Sequence, residues 1–163
     1  MADIVPQDTL KGDHRFSDFL YWNLVLSVPL VTAVVGIGAS SGWALVAYFV
    51  VAVACLVLIL RHFCTHCPHY HAGKRTVRCL FFWGMPKLFR SEPGPLNRKD
   101  KLITAAAAAV LVVFPFNWLI DDIGLLVIYG LAWAVFALSI RRNECGRCIY
   151  SGCPFNAARV EGD

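Results

Sequence analysis

The chain has 163 residues, of which 58% are hydrophobic and 16% charged, and its mean hydropathy is +0.58. Soluble domains carry roughly 25% charged residues, so this composition excludes a disordered chain and argues for a bilayer over a soluble catalytic domain. A net charge of +4 on so apolar a chain is directed at lipid headgroups before nucleic acid.

Residues 1–18 read as a short tail at the membrane surface. They carry Asp3, Asp8, Asp13 and Asp18 where a signal peptide has a basic segment, so no cleaved signal is expected. Residues 19–60 then contain no Asp, Glu, Lys or Arg. A spanning helix takes about 20 residues, so this stretch holds a hairpin. The expected helices are 19–35 and 43–60, joined by a Gly/Ser turn at 36–42. Residues 61–101 form a loop rich in cysteine, histidine, aromatic and basic residues. A second hairpin at 102–140 comprises helices 102–120 and 123–140 around a polar turn at Asp121 and Asp122. Residues 141–163 are a cysteine-rich tail. The fold expected is therefore an all-α integral membrane protein with four transmembrane helices in two parallel-repeated hairpins.

Pro29 and Pro115 should bend the first and third helices, since proline removes an intrahelical hydrogen bond. The alanine run at 105–109 permits close helix contact in lipid. With four spans, all 15 Lys and Arg residues fall on the side of the termini and the long loop. The opposite turns carry only Asp121 and Asp122. That asymmetry assigns both termini to the cytoplasm and the chain to the inner (cytoplasmic) membrane.

The chemistry is concentrated in the cysteines. Cys55 lies within the second helix and reads as a packing residue. The other six follow the hairpins: Cys64, Cys67 and Cys79 after the first, Cys145, Cys148 and Cys153 after the second. Each half ends in basic residues, a CxxC and a third cysteine. The interval from Cys64 to Cys145 is 81 residues, about half the chain. If the second and fourth helices adjoin, the motifs meet. Two CxxC elements supply four thiolates for one metal ion or cluster, and a reducing cytosol disfavours disulfides. Basic neighbours are expected to lower the thiol pKa values.

Cys64, Cys67, Cys145 and Cys148 are the leading ligands, with Cys79, Cys153, His66 and His69 behind them. The run from Cys145 to Pro154 resembles a ferredoxin ligand run ending in Cys-Pro, though its second gap is four residues instead of two. The cofactor expected is an iron–sulfur cluster of the four-iron type, with zinc as the alternative. Arg147 would offset cluster charge, and Trp83, in the aromatic-basic segment 79–90, would line a quinone headgroup site or a partner dock. That segment is expected to lie flat in the headgroup plane.

Three functions follow. The first is a membrane-anchored electron-transfer subunit relaying electrons between a soluble redox partner and quinone or a membrane partner. The second is a zinc-stapled adaptor or assembly factor. The third is a thiol or metal-handling membrane protein. No nucleophile–base pair, phosphate loop or histidine pair at membrane depth supports an enzyme, a nucleotide site or a haem.

Overall fold

A computed structural model describes residues 14–72, 75–92 and 94–149. The chain is a mostly helical bundle with four helices long and apolar enough to cross a membrane. In order, α1 is Phe16–Ser40, α2 Gly42–His62, α3 Pro68–Ala72, β1 Thr76–Arg78, β2 Trp83–Pro86, α4 Arg98–Val113, α5 Phe116–Leu119 and α6 Ile123–Asn143. Among the described residues, the two-stranded sheet of β1 and β2 departs from the expected all-α fold.

The first span is longer than its sequence suggests. Residues 36–40 continue α1, and the turn to α2 is Ser41 alone, an extended residue whose hydroxyl caps the next helix by accepting from Ala44 N. Gly36 serves packing here instead of a turn. A Cβ at that position would lie 2.5 Å from Leu119 Cδ2, so glycine lets α1 and α5 approach closely. Pro29 sits inside α1 without interrupting it. Pro115 does break the third span, between α4 and α5. Tyr129 on α6 donates a hydrogen bond of 2.8 Å to the Val112 carbonyl at that break.

Span two (α2) packs chiefly on α4, and α6 chiefly on α1. The two helices that carry the CxxC motifs are therefore not principal partners, and any meeting of the motifs needs another route. One core lies near the short turns, built on Ala33, Ile37, Tyr48, Leu119 and Tyr129. Another lies at the cysteine end, built on Leu60, Cys64, Tyr70 and Val77. Elsewhere the spans present Leu, Val and Ile outward, as helices solvated by lipid do.

Two secondary expectations are refined. Within the alanine run only Ala107 is buried, at 4% exposure; its neighbours at 105, 106, 108 and 109 are exposed. The segment after Cys79 is no flat lid. It forms an antiparallel hairpin pairing Thr76 with Pro86 and Arg78 with Trp83. The strand spacing leaves one extra residue on β2. Gly84 takes it up at a φ of 75°, the backbone state that glycine tolerates at a bulge.

Candidate metal centre

Both CxxC motifs begin on a helix end, and they fold alike. After α2, Phe63 adopts φ −111°, ψ −55°, a 3₁₀ turn runs Cys64–His66, and Cys67 is extended at φ −78°, ψ 134°. After α6, Glu144 adopts φ −108°, ψ −52°, a 3₁₀ turn runs Cys145–Arg147, and Cys148 is extended at φ −81°, ψ 132°. Phe63 N and Glu144 N each close on the carbonyl of an isoleucine, Ile59 and Ile140, at 2.9 Å. Even the caps that start the helices correspond, Ser41 for α2 and Asp122 for α6. At the offset of 81 residues from Cys64 to Cys145, the two halves repeat the same cap, helix and turn.

The hairpin supplies the third cysteine. Cys79 N donates to Phe82 O at 2.9 Å, closing the tip. That tip reaches into the bundle. Asn23, within α1, donates to Leu80 O at 3.3 Å, and Phe81 lies 6.0 Å from the Phe136 ring on α6. Cys79 packs against the cluster containing Cys64.

Burial pushes the Cys79 thiol above its ordinary value, while backbone N–H groups of Phe81, Leu80 and Phe82 pull the other way. Desolvation of a buried charge dominates at this thiol. Arg141, Arg142 and Arg147 are exposed, where water screens them.

A polar network not anticipated from sequence borders the thiols. Cys67 Sγ lies 3.4 Å from His69 Nδ1, and the His69 ring stacks at 4.4 Å on His14. His14 Nδ1 is 3.6 Å from Glu144 Oε2, and Trp22 Nε1 donates to Glu144 Oε1 at 3.2 Å. The one signal in sequence was Glu144 itself, a lone acid among Arg141, Arg142 and Arg147 beside Cys145.

The remaining expected residues have definite places. His66 Nδ1 is 3.3 Å from Thr65 Oγ1. Trp83 packs with Phe16 at 5.8 Å and Phe19 at 6.4 Å, which ties the hairpin to the start of α1. Arg147 lies within the second turn between Cys145 and Cys148. Cys55 is buried in α2. Cys153 lies outside the described residues. Cys55, Cys64, Cys67, Cys79, Cys145 and Cys148 are thiols, not disulfides. Among the described residues, no group of three or more His, Cys, Asp or Glu is already arranged to hold a metal ion.

The loop is braced around these groups. His62 Nδ1 and Asp100 Oδ1 lie 2.7 Å apart, joining the end of α2 to the start of α4. Tyr70 donates to Phe89 O at 2.8 Å and accepts from Phe89 N at 3.1 Å. Glu92 N bonds the Thr65 carbonyl at 3.0 Å.

No family model, no curated protein and no solved structure matches this chain.

Proposed function

We propose that the protein is a membrane-anchored electron-transfer subunit. In this reading its cysteines hold an iron–sulfur cluster at the cytoplasmic face, and the cluster passes electrons singly between a soluble redox partner and quinone or a membrane partner. The carrying observation is the matched pair of CxxC turns, one from each half, with Cys79 packed against the cluster that holds Cys64. Repeated ligand arms of this kind suit a centre that draws thiolates from two directions.

A further feature supports a redox role. Phe63, Phe82 and Phe89 pack with Cys79 against the cluster of Leu60, Cys64, Tyr70 and Val77, a low-dielectric envelope of the sort that sets a cluster's potential. The spans act as scaffold, and the basic surface at this end offers a docking face for a soluble donor or for anionic headgroups.

Zinc is the second reading. Cys64, Cys67, Cys145 and Cys148 would supply the four thiolates of a tetrahedral site, and a zinc there would staple the halves of an adaptor. Anaerobic purification of the full chain, with iron, acid-labile sulfide and zinc measured per chain, separates the two. Iron and sulfide in equal amounts, with visible absorption that bleaches on reduction, is the expected result. A colourless protein with full zinc would transfer the assignment to the adaptor.

A further inference from the structure

We infer that Glu144 is a positioning residue that holds the two CxxC turns in register, acting through His14 and His69 on the Cys67 sulfur of the other motif. This rests on the metal-centre reading above and names what fixes the motifs relative to each other.

The repeat itself isolates the side chain of Glu144. Phe63 and Glu144 occupy matching positions in the two halves and do the same backbone work. Phe63 O accepts from His66 N at 3.2 Å, and Glu144 O accepts from Arg147 N at 3.2 Å. A phenylalanine is therefore enough to make the turn, and its ring packs against the cluster of Leu60 and Cys64. The second half places a carboxylate at this position and buries it, at 8% exposure. Burying a charge is costly unless partners compensate for it. The acid is thus explained by its side-chain contacts and not by the turn.

Those contacts run in two directions. Oε1 accepts from Trp22 Nε1 at 3.2 Å, which ties the second turn to α1. Oε2 lies 3.6 Å from His14 Nδ1. The His14 ring centroid is 4.4 Å from that of His69, a buried residue whose Nδ1 lies 3.4 Å from Cys67 Sγ. Helix packing does not supply this link, because α2 packs chiefly on α4 and α6 chiefly on α1. A metal-bound thiolate has lost its proton, so the His69 ring nitrogen is then the donor to the sulfur. Outer contacts of this kind orient ligands and tune the metal they hold.

The test uses cobalt(II) as the probe, added to the full chain purified anaerobically and stripped of metal. Sulfur-to-cobalt charge-transfer absorption reports thiolate ligation. Glu144→Gln offers one acceptor oxygen where the carboxylate offers two, so one of the two contacts is lost. His69→Phe keeps a ring beside His14 and removes the nitrogen beside Cys67. Both variants are expected to bind cobalt with a shifted charge-transfer band and to release it to a chelator severalfold faster than wild type. Ala107→Leu, which disturbs the contact of α4 with α2 outside this network, is expected to keep the wild-type band and rate. A wild-type band and rate in Glu144→Gln would overturn the inference and leave the metal-centre reading in place. Equal acceleration in Ala107→Leu would also overturn it, since the effect would then be one of stability alone. Absence of sulfur-to-cobalt absorption in the wild type would remove the metal-centre reading and this inference with it.

The double variant tests the route. If Glu144 acts through His69, Glu144→Gln adds little to the release rate once His69→Phe is present. Accelerations that multiply would show that the two residues act separately, and the proposed link between the motifs would fall.

Discussion

Trp22 and Glu144 are 122 positions apart in the chain, yet the indole N–H donates to the carboxylate at 3.2 Å in a buried contact. The bond fastens the first span to the residue immediately before Cys145. It thereby sets the second CxxC turn relative to α1, on which α6 packs. Through His14 and His69 the same carboxylate is linked to Cys67, so one side chain borders both motifs.

Trp22→Phe removes that donor while keeping an aromatic ring. Hydrogen bonds to charged groups contribute roughly 1.5–3 kcal/mol, so the variant is expected to lose about 2 kcal/mol. Glu144→Gln keeps an acceptor oxygen for the indole and should lose less. Thermal midpoints in detergent measure both. Equal midpoints for Trp22→Phe and wild type would show that the bond contributes nothing to stability.

Ala107 is buried between spans, whereas Ala106 and Ala108 on the same helix are exposed. A leucine at 107 adds volume to a packed contact, at a cost of about 1–3 kcal/mol. Ala108→Leu adds the same volume toward lipid and should leave the midpoint unchanged. Equal effects of the two substitutions would remove the close contact of α4 with α2.

Orientation follows from the placement of the basic residues. Ala39→Cys and Asp121→Cys, both at exposed positions on the short-turn end, are expected to react with a membrane-impermeant maleimide added to whole cells. Lys99→Cys and the wild-type cysteines should react only after lysis. Labelling of Lys99→Cys from outside would invert the topology.

The four spans were legible because charge disappears from long stretches, and hydrocarbon thickness then fixes how many helices fit. Their ends were less so. Gly36 and Gly38 read as a turn, but in a helix packed against Leu119 a glycine is a contact surface. The CxxC pair was visible from spacing alone. The placement of Cys79 beside Cys64 was not, because it depends on a hairpin whose strands are three and four residues long, too short to give a period. The link from Trp22 to Glu144 was equally hidden, since a tryptophan near a span end reads first as an interfacial anchor. In the fold it is buried at 2% exposure.

The raised pKa of Cys79 has two consequences with opposite signs. Burial is its main cause, so the folded, metal-free protein holds the proton past the ordinary thiol value of 9.0. Unfolded chains lose that proton first and then bind fewer protons than the native state, so stability falls as pH rises. The metal-free wild type is therefore expected to lose thermal stability above about pH 9, and Cys79→Ala should lose less. Metal binding runs the other way. A metal must displace the proton, and below the thiol pKa affinity rises by about tenfold per unit rise in pH for each proton released. The whole range from about pH 6 to 8 lies on the protonated side of the Cys79 thiol. Zinc(II) affinity, used as the probe, should therefore rise steeply with pH across that range. Calorimetry in buffers of different ionisation enthalpy counts the protons released. Cys79→Ala is expected to release one fewer than wild type, and equal counts would show that the Cys79 proton is not displaced by the metal.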